Sequence, residues 1–281
     1  MSKIIIISAH PDDETLGAGG TLLKHNNEGD EINWLIVTDV FEEQGFSKER
    51  VISRKLEIEK VSKMYGFSNV FKLGHPTMKL NDTILHKIIG QISKIFQDIK
   101  PEIIYVMNRS DAHSDHRIVF DAVMSCTKSF RYPYIKKVLM YECLSETEFA
   151  PILPERVFQP NYFVDISNFL HKKIEIMKIF DSELGEHPFP RSIKNIEALA
   201  TFRGASVGVE FAESFQLEWN INLMTHLNVR TAYKYLNVKT DYATGLLDKP
   251  LQAKNRFFAN IAYETHILEK GQQWKFDATF N

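Results

Sequence analysis

The sequence predicts an α/β fold: a Rossmann-like, doubly wound, mostly parallel sheet flanked by helices, with an appendage at its C-terminal end. Three observations carry this. The opening run "IIII" (4–7) is apolar without alternation, as in a strand covered on both faces of a parallel sheet. Strand-like runs then alternate with helix-length segments from residue 4 to about 142, the pattern of βαβ units. Clusters of histidine and carboxylate stand directly after two of these runs, where ligands sit in open α/β sheets.

The elements follow in order. After the first strand, glycines at 17, 19 and 20 precede "TLLKHNNEGD", a helix ending near Gly29. "INWLIVTD" (32–39) is the second strand, and residues 48–65 carry helical spacing stopped by Gly66. "NVFKLG" is a short strand, 82–98 an amphipathic helix, and "PEIIYVM" (101–107) a strand introduced by proline. "DAHSDHRIVFDAVMSCTKSF" enters a helix and "KKVLMYE" returns as a strand. "NYFVDI" continues the pattern, followed by a helix over roughly 167–182, the loop "EHPFPRS" and a further helix before "FRGASVGVEFAESF". Past Trp219 the chain is aromatic and polar without a clear period. The expected division is therefore a main domain over 1–219 and an extension over 220–281, either a cap or an oligomerisation arm.

Composition narrows the class. With 281 residues, 44% hydrophobic, 25% charged and a net charge of −2, the chain lacks the basic excess of a nucleic-acid binder. A chain this long buries roughly three quarters of its unfolded surface and needs no disulfides. Cys126 and Cys143 are too few for a secreted framework, so a reducing compartment is expected, with both thiols as buried apolar fillers. No signal-peptide core and no apolar run of about 18 residues is found, which predicts a cytoplasmic protein without a membrane span.

The chemistry gathers at two strand ends. "AHPDDE" supplies His10, Asp12, Asp13 and Glu14; "DAHSDHR" supplies Asp111, His113, Asp115 and His116. Two imidazoles and a carboxylate are a common ligand set for catalytic zinc. A neighbouring carboxylate can then take the proton of a water whose pKa the metal lowers toward ~7. The alternative is capping: acids favour the first turn of a helix, and Asp111 and Asp115 both precede one starting near Arg117. "GAGGT" (17–21) lacks the spacing of a phosphate loop, and close helix–sheet packing explains its glycines better. Arg54 stands one turn before Glu57, as a surface pair or a substrate contact. Arg191 and Arg203 are further candidates for gripping a substrate hydroxyl or a phosphate, with structural anchoring as the alternative; Glu142 is a candidate for binding substrate hydroxyls, and His75 for lining the pocket.

"AHPDDE" followed about 100 residues later by "HSDH" resembles the zinc-dependent N-acetyl amino-sugar deacetylases called PIG-L or LmbE-like. The resemblance extends through "YECLSETEF", "NYFVDIS", "PRS" and "RGASVGVEFAESF", over roughly residues 1–217. It implies that His10, Asp13 and His116 hold the metal, zinc or another divalent ion such as ferrous iron, and that Asp12 is the general base. It implies that His113 stabilises the oxyanion and protonates the leaving amine, and that Asp115 holds the His113 ring. Ser114 stands where relatives commonly have Pro, and Asp111 where some have a Tyr that assists the oxyanion. The implied reaction is removal of an acetyl group from an N-acetylated amino sugar or its conjugate. An amidase on another N-acylated small molecule, and a non-catalytic nucleotide- or sugar-binding module, are the competing readings.

Overall fold

The fold is that of a computed structural model, which describes residues 1–151, 157–221, 228–234, 256–262 and 279–280. The chain divides into two units, Met1–Asn220 and Ile221–Asn281. The first is a seven-stranded sheet with helices around it. Its strands are β1 (Lys3–Ser8), β2 (Glu31–Asp39), β3 (Asn69–Pro76), β4 (Ile103–Met107), β5 (Lys137–Tyr141), β6 (Tyr162–Asp165) and β7 (Ala212–Asn220). They lie in the order β3-β2-β1-β4-β5-β7-β6. The first five are parallel; β7 runs antiparallel to both β5 and β6.

The unalternating run of β1 is explained by its central position. Ile4, Ile5, Ile6 and Ile7 are fully buried between β2 and β4, each contributing about 1.5–3 kcal/mol of apolar burial. The helices of this unit are α1 (Asp13–Asn27), α2 (Lys48–Tyr65), α3 (Asp82–Ile99), α4 (Ser114–Ser125), α5 (Leu170–Met177) and α6 (Ile193–Val207). Local chemistry bounds several of them. Ser47 accepts the Arg50 N–H at the start of α2, and Gly66 ends it in the left-handed conformation at φ 74°. Along α3, Ile88, Ile92, Phe96 and Ile99 are buried at helical spacing, making it the clearest amphipathic helix.

Three boundaries differ from expectation. α1 begins at Asp13 and includes the glycines, because the Asp12 carbonyl already accepts the Thr15 and Leu16 N–H groups. β4 begins at Ile103, after Pro101, which has no N–H to give the sheet. The expected 167–182 helix is limited to α5, with a short 3₁₀ turn at Asp181–Glu183.

Strand order sets the site. β2 and β3 lie to one side of β1, β4 and β5 to the other, so the order reverses between β1 and β4. The loops leaving these two adjacent, parallel strands face one crevice, the usual ligand position of such sheets. They are the "AHPDDE" and "DAHSDH" stretches.

The second unit contains β8 (Asn228–Lys234), β9 (Arg256–Ala262) and β10 (Thr279–Phe280), an antiparallel sheet ordered β10-β9-β8. Among the described residues no helix is long and apolar enough to cross a membrane.

Candidate metal centre

Three ligand atoms converge at the crevice. His10, Asp13 and His116 each offer one atom, and all lie within 4.8 Å of one another. His116 Nδ1 donates to Asp111 Oδ2 at 2.8 Å, which leaves Nε2 facing Asp13 Oδ1 at 3.3 Å. That Nε2 is buried and has no hydrogen-bond partner among the described residues. An orphaned imidazole nitrogen beside a carboxylate oxygen fits a cation between them, since tetrahedral bonds of about 2.0–2.2 Å separate ligands by about 3.4 Å.

The supports differ from those expected. Asp111 caps no helix: its carboxylate accepts from His116 Nδ1, from Asn108 Nδ2 at 2.9 Å and from Thr147 Oγ1 at 2.7 Å. It fixes the tautomer of His116, while the cap of α4, which begins at Ser114, is His113. Asp115 was expected to hold His113. Instead its Oδ2 lies 3.2 Å from His10 Nε2, while the Met78 and Leu80 N–H groups donate to its two oxygens at 2.7 and 3.2 Å. A second grouping at this crevice, His10, His113 and Asp115, also places three potential ligand atoms within 4.8 Å of one another, but the orphaned His116 Nε2 belongs to the first.

His113 Nδ1 accepts the Asp115 N–H at 3.1 Å, so in the neutral ring the proton is on Nε2. Burial, with the nearby His10 ring, lowers its pKa to about 4 in the metal-free site. Burial opposes ionisation of Asp13, but His116 and His10 outweigh it and hold the carboxyl below its usual range. Burial is likewise overcome at Asp115, lowered by bonds from His10 and the Met78 N–H. Asp12 goes the other way: burial, then the Asp13 charge, raise it well above an ordinary Asp. A carboxyl raised in this way has a greater affinity for a proton.

Asp12 also sits on a strained backbone, at φ 138°. Two neighbours hold it there. Glu14, fully buried, accepts the Asp12 N–H at 3.1 Å and hydroxyl bonds from Ser8 and Thr15. Arg54 donates to the Pro11 carbonyl just ahead of it. Burial raises Glu14 to about 7.

A cavity of about 320 Å³ opens over these groups. Arg54 and Arg191 line it; Arg54 is buried and pairs with Glu57 and Glu183, so it belongs to the site and not to the surface. Glu142 and Arg203 do not line it: they face one another, with Arg203 Nε and Nη2 at 2.8 and 2.6 Å from the two carboxylate oxygens. His75 is outside it as well, bonded to Gln91 at 2.7 Å. Cys143 is more than a filler, since its thiol donates to Asp13 Oδ1 at 3.6 Å. Glu146 and Glu183, not singled out from the sequence, both line the cavity, and Glu146 accepts the His113 N–H at 2.9 Å. Their contacts span 33 and 129 residues, so no local spacing announces them.

Residues 5–127 match the family described as PIG-L: GlcNAc-PI de-N-acetylase, a span containing both the "AHPDDE" and "DAHSDH" loops. The match spans less than half of the chain, and the likeness is to the PIG-L family. Diacetylchitobiose deacetylase of Thermococcus kodakarensis is 23% identical over 77% of this chain and 83% of its own. The solved N,N'-diacetylchitobiose deacetylase of Pyrococcus horikoshii, bound to an inhibitor, superposes with a TM-score of 0.62 at 20% identity, covering 77% of this chain and 83% of that one. GalB, a 4-carboxy-2-hydroxymuconate hydratase of Pseudomonas putida, shares the fold at a TM-score of 0.57 and 18% identity, over 81% of this chain and 100% of its own. The PIG-L fold therefore carries chemistry other than deacetylation, and the reaction has to be argued from the site.

Proposed function

We propose that this PIG-L-like chain is a metal-dependent N-deacetylase that releases acetate from an N-acetylated amino sugar or its conjugate. The observation that carries the reading is the pairing of the orphaned His116 Nε2 and Asp13 with a strained, buried Asp12 one residue away. His10, Asp13 and His116 would hold the cation; zinc suits two imidazoles and a carboxylate, and ferrous iron accepts the same donors. Such an ion supplies Lewis-acid polarisation of the acyl carbonyl and a more acidic water.

The rest is done by side chains. Asp12 takes the proton of the attacking water, for which a pKa raised by burial suits it better than an ordinary Asp. His113 donates a hydrogen bond from its Nε2–H to the developing oxyanion, and the proton that Asp12 took from the water passes to the departing amine. Asp115 keeps His10 in place, and Asp111 does the same for His116. Arg54 and Arg191, on the cavity wall, are the sugar-facing residues we assign, whereas Glu142 and Arg203 pair with one another outside this cavity. A cytoplasmic setting suits two reduced, buried thiols.

The test is acetate release from a panel of N-acetylated amino sugars and their nucleotide conjugates by zinc- and iron-loaded protein. Wild type should act on at least one member, and Asp12→Asn should keep its metal while losing about 10²–10⁴ in rate. Metal-loaded wild type that releases no acetate from any member would sink the amino-sugar reading.

A further inference from the structure

α1 is interrupted at Ala18, whose φ and ψ are −141° and 17°. In an unbroken α-helix the Leu16 carbonyl would accept the Gly20 N–H, four residues on. Here that rung is opened and a pair of side chains is inserted. The Leu16 carbonyl accepts from Lys173 Nζ at 2.8 Å; Lys173 Nζ donates to Glu213 Oε1 at 2.7 Å; and Glu213 Oε1 accepts the Gly20 N–H at 2.8 Å. Glu213 Oε2 takes the next N–H, that of Thr21, at 2.7 Å. Lys173 comes from α5 and Glu213 from β7, and they are 4% and 5% exposed.

Stability alone is a poor reason for such a pair, because desolvation cancels most of the attraction of buried charges. The location supplies a better one. The half-helix ahead of the break begins at Asp13 and directly follows Asp12, and its Leu16 lines the metal cavity. Closing the rung would carry the axis of the second half through residues 13–17. The Asp13 carboxylate would then turn away from His116 Nε2, now 3.3 Å distant.

We propose that Lys173 and Glu213 are positioning residues for the metal centre: their ion pair holds one helical rung open and so sets the direction of the turn that carries Asp12 and Asp13. The proposal rests on the metal-centre reading above. It also has a polarity. The Leu16 carbonyl requires a donor, and the Gly20 and Thr21 N–H groups require an acceptor, so the two charges are not exchangeable. An ordinary ion pair would tolerate reversal.

The experiment uses Lys173→Met/Glu213→Leu and the reversed pair Lys173→Glu/Glu213→Lys in the full chain. Zinc affinity is measured by competition with a chromophoric chelator, and the Gly20 amide is followed by hydrogen exchange. In the apolar pair the rung closes, so Gly20 stays protected while zinc affinity falls about tenfold or more, the range for residues that orient ligands. The reversed pair should lose at least as much. If either folded variant binds zinc as wild type does, the positioning role is overturned. Should both fail to fold, Glu213→Gln and Lys173→Arg replace them: loss of zinc affinity in the first with retention in the second supports the polarity, and equal affinities overturn it. Wild type that binds no zinc overturns the metal centre itself, an outcome distinct from variants that match a zinc-binding wild type.

Discussion

Asp12→Gly should make the metal-free protein more stable while abolishing catalysis. Asp12 is held at φ 138°, a conformation that costs a non-glycine residue on the order of 1–3 kcal/mol. Glycine removes that cost but has a freer unfolded chain, an offset of about 0.4–1 kcal/mol. The net backbone gain is about 0–2.6 kcal/mol, about 1.3 kcal/mol at mid-range, or about 3–5 °C in melting temperature for a unit of this size. Loss of a buried carboxylate beside Asp13 acts in the same direction, since burial and the Asp13 charge both disfavour its ionised form. The assay is calorimetric melting of wild type, Asp12→Ala and Asp12→Gly in excess chelator, so that metal binding does not contribute. Alanine removes the carboxylate and keeps the strain; the difference between the two variants therefore reads the backbone alone. If alanine and glycine melt together, the strain is not in the folded state and the reasoning fails.

Other consequences follow from the same geometry. Asp111→Asn keeps the shape at His116 Nδ1 but removes the charge, and zinc affinity should fall about 10–100-fold by chelator competition. Gly17→Ala would put a Cβ 2.1 Å from the Tyr141 ring, which should destabilise by about 1–3 kcal/mol or more on denaturant unfolding. His25 is half-buried and bonded to Asp30 and Tyr105, and desolvation lowers its pKa below 6.5 despite Asp30. Because the folded pKa is the lower one, this contribution is present above pH 6.5 and lost as the pH falls through the folded pKa. The stability difference between wild type and His25→Gln, from urea unfolding of chelated protein, should shrink on acidification over that interval; a difference that grows refutes the assignment.

Local pattern was enough to set out much of this molecule. The unalternated isoleucines of β1, the 3–4 spacing of α3 and the Ser47 and Gly66 boundaries of α2 are properties of adjacent residues. They are readable because a strand or helix is stabilised by the period of its own side chains. The two metal loops are readable for a related reason: each lies within a few residues of a strand end, and the parallel sheet brings strand ends together. The sequence by itself therefore determined the fold class, the two clusters and their common edge.

What only the tertiary structure decided is who serves whom. Asp115 lies one residue from His116 yet supports His10, 105 residues away, while Asp111 serves His116 and caps nothing. Glu142 and Arg203, both plausible sugar contacts by type, neutralise one another outside the metal cavity. Lys173 and Glu213 lie 157 and 193 residues from the backbone groups they join. A hydrogen bond needs its partners within about 3 Å and aligned, and separation along the chain says nothing about that. Only the packing of α5 and β7 against a broken α1 brings those groups into reach.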